Sequence, residues 1–192
     1  MILLKRIQEI ETGNRFILGV DGLSRSGKTI LGNKLSAHLK EMNIPFHIFH
    51  IDDHIVERKK RYDTGFEQWY EYYNLQWDID WLSQNFFDKI KKSSPIRIPF
   101  YDKESDTQSI RNIQLPNACV IIIEGVFLQR KEWRNFFDYI VFLDCPRDDR
   151  FLRESKEAQR GMEKLNQRYW KAEEYYLETE IPIQKANLVL NG

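Results

Sequence analysis

The residues best equipped for chemistry form one octet, Gly22-Leu23-Ser24-Arg25-Ser26-Gly27-Lys28-Thr29. Framed by glycines, the backbone N–H groups around Ser24 and Ser26 can curl about an anion. Lys28 supplies a mobile cation, and the Thr29 hydroxyl can ligate a divalent metal. The apolar run Phe16-Ile17-Leu18-Gly19-Val20 precedes the octet and a helical pattern follows it. A helix starting there adds its positive dipole end to the same anion site. The octet therefore predicts a nucleoside triphosphate held by Gly22, Ser24, Ser26, Gly27, Lys28 and Thr29.

Phosphoryl transfer to an alcohol also needs a base beside the acceptor oxygen and acids that hold magnesium. Ligands of open parallel sheets bind at the carboxyl ends of strands, where two acidic signals fall. Asp52-Asp53 follows the apolar segment Phe46 to Ile51, and Glu124-Gly125 follows Val120 to Ile123. Asp52 is the candidate base, with Asp53 as the alternative; helix N-capping is the structural role open to both. Thr29, Glu124 and Asp52 are the candidate metal contacts, and Gly125 is expected to let backbone approach the ligand.

Arg150, Arg153 and Arg160 are spaced by three and seven. On one helix they would share an arc of about 80° at roughly 100° per residue. Such a face could close over the transferring phosphate. The same pattern also suits an exposed helix in which Glu154 and Glu157 pair with their neighbours. Strand alternation sends His47 and His50 to opposite faces, so His47, His50 and His54 read as structural rather than metal-binding. The aromatics between Phe66 and Trp81 read first as core, with stacking on a planar base as the functional alternative.

These groups need a scaffold, and the periodicity supplies one. Helical spacing runs through Leu3, Ile7 and Ile10, then from Ile30 through Leu39 to about Met42-Asn43. Two more helices are expected near residues 66–75 and 80–92. The alternating segments from Ile96 to Tyr101 and from Ser109 to Leu115 predict an antiparallel hairpin. Continuous apolar runs from Val120 to Ile123 and from Tyr139 to Leu143 predict strands covered on both faces. Helices over 146–161 and 163–179 and a last strand over 187–190 complete an α/β alternation, which implies a parallel sheet between helical layers.

With 192 residues, 42% of them hydrophobic and 14% aromatic, the chain is expected to form one domain over 1–192. A substrate-side insertion would cover about 54–116 and a lid about 147–165. Basic and acidic residues both number 29, so no net field draws the chain to nucleic acid or an anionic membrane. The expected partner is a small molecule bearing a hydroxyl, and a homo-oligomer is compatible with that. Cys119 and Cys145 lie in or beside apolar runs without zinc or redox spacing and read as reduced core thiols. No apolar stretch approaches about 18 residues, and no leader pattern opens the chain, so a cytoplasmic protein is expected.

Taken in order, the octet, the acidic strand end, Ile98-Pro99-Phe100-Tyr101-Asp102, Ile122-Ile123-Glu124-Gly125 and the arginine segment resemble the uridine kinase and phosphoribulokinase family of P-loop kinases. The resemblance spans nearly the whole chain. It implies a P-loop NTPase three-layer sandwich with a five-stranded parallel sheet of order 2-3-1-4-5, a small antiparallel hairpin and a helical lid. It also implies ATP and Mg2+, and transfer of the γ-phosphate to a hydroxyl of a nucleoside or related riboside. By that resemblance Asp52 is the catalytic aspartate acting with Lys28 and Arg153, and Arg150 and Arg153 are lid arginines, Arg150 at the nucleotide. Tyr101 is kept on the acceptor side. The family's ribose-contacting aspartate falls on Asn74, or on Asp78 with a gap, and its pyrimidine-facing histidine falls on Asp106. The family's Phe-Tyr after the base is here His54-Ile55, and its double arginine is Arg153-Glu154. A vitamin precursor or sugar phosphate is the second acceptor class. A nucleotide-binding protein of this fold without acceptor phosphorylation is the alternative function. A GTP switch would need a late Asn-Lys-x-Asp segment, whereas Asn33-Lys34 lies in the octet's own helix.

Overall fold

Seven strands carry the frame: β1 (Arg15–Gly22), β2 (Phe46–His50), β3 (Ile96–Asp102), β4 (Thr107–Ile113), β5 (Cys119–Gly125), β6 (Tyr139–Asp144) and β7 (Leu188–Asn191). They come from a computed structural model that describes residues 14–192, so the helix expected through Leu3, Ile7 and Ile10 lies outside the described residues. The main sheet runs β2-β5-β1-β6-β7, with every pairing parallel. Counted along the chain, these five strands have the expected order 2-3-1-4-5. β3 and β4 pair antiparallel as a separate hairpin, Ile96 opposite Ile113 and Asp102 opposite Thr107.

Both faces of the central strands β1, β5 and β6 are buried because their apolar residues run consecutively rather than at alternate positions. In β1 the two-residue period sends Ile17 to one layer and Leu18 and Val20 to the other. Leu18, Val20, Val120, Ile122 and Val141 pack against Leu35 and Leu39 of α1 (Lys28–Glu41). Ile17, Ile121, Ile123 and Phe142 face a larger aromatic layer containing Tyr72, Trp77, Phe86, Phe127, Trp133 and Tyr176. The aromatic stripe of the sequence is thus mostly core, although Phe66 stays exposed. Cys119 and Cys145 are buried free thiols.

The short helices α2 (Arg58–Arg61), α3 (Gln68–Asn74) and α4 (Ile79–Leu82) lie between β2 and the hairpin, and a π-helical turn over Ser83–Phe87 extends α4. That turn ends the segment before the residue 92 expected from periodicity. After β6 come α5 (Arg147–Leu152), α6 (Lys156–Arg160) and α7 (Met162–Lys164), then a π-helical stretch over Leu165–Trp170, α8 (Lys171–Glu180) and α9 (Pro182–Lys185). The expected single helix over 146–161 is therefore two helices. Ser155 accepts a hydrogen bond from the Ala158 N–H at 3.1 Å and restarts the chain as an N-cap. The Gln159 amide donates to the Phe151 and Glu154 carbonyls at 3.0 and 3.2 Å, satisfying acceptors freed by the break. Arg160 consequently does not share a helical face with Arg150 and Arg153.

Candidate active site

β1 delivers the octet to the carboxyl edge of the sheet. Gly27 has φ +97° with open space where a Cβ would stand, so backbone conformation alone calls for glycine there. α1 starts at the next residue and has no acid in its first turn, which leaves its positive end for an anion. The Ser26 hydroxyl is fully buried and among the described residues has no hydrogen-bond partner, an arrangement that suits a phosphate oxygen. Lys28 is buried, and its Nζ donates to the Leu23 carbonyl at 2.8 Å. Burial lowers its pKa, while Glu124, Asp52, Asp21 and Glu173 act to raise it.

The acids arrive on the neighbouring strands. Glu124 closes β5, and the Thr29 Oγ1 donates to its Oε1 at 3.2 Å. Its register partner on β2, His50, places Nδ1 2.5 Å from the same oxygen. Asp52 and Asp53 lie in a 3-10 turn, Ile51–His54, and neither acts as a cap. The Asp52 side chain is open to solvent but hemmed in by the walls of the cleft. That crowding raises its pKa, Lys28 opposes the rise, and Glu124 and Asp53 add to it. Gly125 permits a close approach, but the neighbour is Ile51 rather than a ligand: a Cβ there would lie 2.1 Å from the Ile51 Cγ2. The glycine expected to face ligand instead seats the turn that carries Asp52.

Arg150 lines the cleft with its guanidinium already engaged. It donates to both Glu173 oxygens at 3.1 and 2.9 Å, to the Ser24 carbonyl at 3.1 Å and to the Cys145 carbonyl at 3.1 Å. Glu173 also accepts from the Ser24 N–H at 2.9 Å, so the buried pair grips both backbone polar groups of one loop residue. Arg153 reaches the Arg25 carbonyl at 3.1 Å, and the Arg25 Nε stands 3.1 Å from Glu154. Arg25 itself has φ +63° inside the loop.

These groups surround a cleft of about 1520 Å³ lined by the loop, Asp52, Tyr72, Lys103, Glu124, Arg150, Arg153, Lys164, Tyr169 and the chain end at Leu190–Gly192. Single-ligand pockets occupy about 300–1,000 Å³, so there is room for two reactants. The residues expected on the acceptor side are not gathered there. The Tyr101 hydroxyl donates to Asp106 at 2.8 Å and accepts from Arg61 at 3.2 Å, and the Arg58 N–H also binds Asp106 at 2.9 Å. Asp78 caps α4 by accepting from the Trp81 N–H at 3.0 Å, and Asn74 ends α3; neither lines the cleft. The sequence pattern reads His50 as structural and assigns no role to Glu173 or to Arg25 individually. The His50–Glu124 contact could have been anticipated by pairing the ends of the two predicted strands, whereas Glu173 carries no local signal.

A parallel sheet of this order with the octet at its carboxyl edge defines a P-loop kinase fold. The sequence model of the Phosphoribulokinase / Uridine kinase family matches residues 17–169, and the chain belongs to that family. The uridine kinase of Staphylococcus carnosus (strain TM300) is 29% identical over 161 residues, 80% of this chain and 74% of that protein. The uridine kinase of Staphylococcus haemolyticus (strain JCSC1435) is 28% identical over 164 residues, 81% of this chain and 76% of that protein. A solved Bacillus stearothermophilus structure, described as a possible uridine kinase, is 53% identical and superposes with a TM-score of 0.84, covering 99% of this chain and 96% of that one. Among the described residues, no helix is long and apolar enough to cross a membrane.

Proposed function

We propose that this protein is a nucleoside-type kinase that moves the terminal phosphate of ATP to a hydroxyl of a riboside. The carrying observation is the position of Asp52, on the same cleft as the phosphate loop, with its proton affinity raised and the Lys28 charge beside it. The loop, the unpartnered Ser26 hydroxyl and the start of α1 hold the phosphates, and Lys28 exchanges the Leu23 carbonyl for a phosphate oxygen. Asp52 takes the proton of the acceptor hydroxyl as that oxygen bonds to the γ-phosphorus and the bond to the β-phosphate oxygen breaks, releasing ADP. Arg153 sits on the lid side, where it can meet charge on the transferring group.

Thr29, Glu124 and Asp52 fit a magnesium ion: a hydroxyl lies against one carboxylate, and the second is destabilised by that carboxylate's charge. When bound, the ion would neutralise phosphate charge. Tyr101, Asp106, Asn74 and Asp78 are the acceptor positions of the family pattern, and none of them lines the cleft.

The test is ADP formation from ATP and magnesium over a panel of nucleosides, vitamin precursors and sugar phosphates. A riboside-dependent signal lost in both Lys28→Met and Asp52→Asn is the expected result. ATP hydrolysis indifferent to every acceptor would instead support a nucleotide-binding protein without transfer.

A further inference from the structure

Asp21 is wholly buried in β1, immediately ahead of the octet, and does not line the cleft. Burying a carboxylate is costly unless donors surround it, and four do. Its Oδ1 accepts from the Gly22 N–H at 2.8 Å and from the Leu128 N–H at 3.3 Å. Its Oδ2 accepts from the Tyr176 hydroxyl at 2.5 Å and from the Gln129 side-chain amide at 3.0 Å. Burial raises the Asp21 carboxyl, against the hydrogen bonds from Tyr176, Gln129 and Gly22. Burial also lifts Tyr176 well above its ordinary value, so the phenol keeps the proton that it donates.

Gly22 carries this network into the phosphate loop. It has φ +154°, and a Cβ there would lie 2.6 Å from the Ser26 Oγ and 2.9 Å from the Leu143 carbonyl oxygen. The residue whose N–H Asp21 holds is therefore packed directly on the hydroxyl suited to a phosphate oxygen, and a shift of one displaces the other. Two residues further on, Glu173 holds the Ser24 N–H at 2.9 Å.

Both holds come from one face of α8. Glu173 and Tyr176 are three residues apart on that helix, and Glu180, four further, accepts from the Lys131 N–H at 3.1 Å. The Tyr176 hydroxyl also accepts from the Gln129 N–H at 2.9 Å, and the Gln129 amide reaches the Pro182 carbonyl at 3.1 Å. α8 is thus tied to the segment after β5 and grips the octet at its entry and at Ser24. An apolar pair at positions 21 and 176 would fill the same space without desolvating a charge. The carboxylate and phenol add direction, because they fix the Gly22 N–H relative to α8.

We infer that Asp21 and Tyr176 are positioning residues for the phosphate loop, holding the octet through Gly22 in the shape that receives ATP. This rests on ATP as the ligand of the loop in the kinase reading above and extends that reading to residues that touch no reactant.

The test titrates the full chain with ATP in magnesium buffer by calorimetry, beside a thermal melt. Tyr176→Phe keeps the ring and removes only the hydroxyl, and it should weaken the Kd for ATP by about tenfold with a cooperative melt retained. Asp21→Asn should weaken ATP at least as much, and Tyr176→Phe added to it should weaken ATP little further, since both act through one carboxylate. Tyr73→Phe, which removes a hydroxyl of the same aromatic layer from outside the network, should leave the Kd unchanged. If Tyr176→Phe does not fold, Gln129→Met removes the other side-chain donor to Oδ2 and should show the same weakening. A folded Tyr176→Phe or Gln129→Met protein with a lower Tm and an unchanged Kd would reduce the network to core packing and overturn the inference. Additive losses in the double variant would overturn the shared route through Asp21. Failure of the unaltered chain to bind ATP would remove the kinase reading and the inference together.

Discussion

Asp52 must be ionised to receive a proton, and its surroundings make ionisation harder than for an ordinary aspartate. Activity should therefore fall as pH drops through a pKa above the usual carboxylate range, visible as the acid limb of kcat/KM. Asp52→Asn should lower kcat by about 10²–10⁴-fold, and its residual activity should lack that limb. An acid limb retained in the variant would assign the titration to another group. The loop contacts were legible because each follows from residue type and local spacing. The engagement of Arg150 was not, since its partner Glu173 lies on a helix far along the chain.

Two elements position these residues, and both draw on buried polar groups. The 3-10 turn that carries Asp52 is anchored by His54, whose Nδ1–H donates to the Pro99 carbonyl at 2.7 Å among Phe49, Phe86 and Phe100. Burial lowers the His54 pKa from 6.5 to about 4, so the folded protein keeps it neutral where the unfolded chain takes up a proton. Stability from this site is complete above pH 6.5 and is lost as pH falls toward 4, by about 3 kcal/mol at the lower end. Urea midpoints across that range should show the loss, and His54→Phe should remove this component of it. The second element is the Arg150–Glu173 pair that grips Ser24. Glu173→Ala strands a buried guanidinium and should cost about 3–5 kcal/mol, whereas Arg150→Met combined with Glu173→Ala should cost less than the two single changes summed. Additive urea-denaturation energies would show that the pair is not coupled. The helix break at Ser155 was hidden in the sequence because charged residues with good helix propensity surround it.

At the scale of the whole molecule, the parallel strands end together, and that edge brings loop, turn and acids into one cleft. A ligand bound only by this assembled edge stabilises the folded state by mass action. ATP at about 100 times its Kd should add about 2.7 kcal/mol, or about 5–10 °C in Tm for a chain of this size. Lys28→Met should abolish the shift in a thermal melt. An undiminished shift would place the nucleotide elsewhere.

The sequence by itself determined the strands, the phosphate loop and the pairing of acids with strand ends, because these depend on two-residue and short-range spacing, whereas the strand order came only with the family resemblance. Only the tertiary structure decided which arginines are already engaged, which glycine seats a turn, and that the chain restarts as a new helix at Ser155. Those outcomes depend on contacts between residues as far apart as Ser24 and Glu173, whose distance no local pattern encodes.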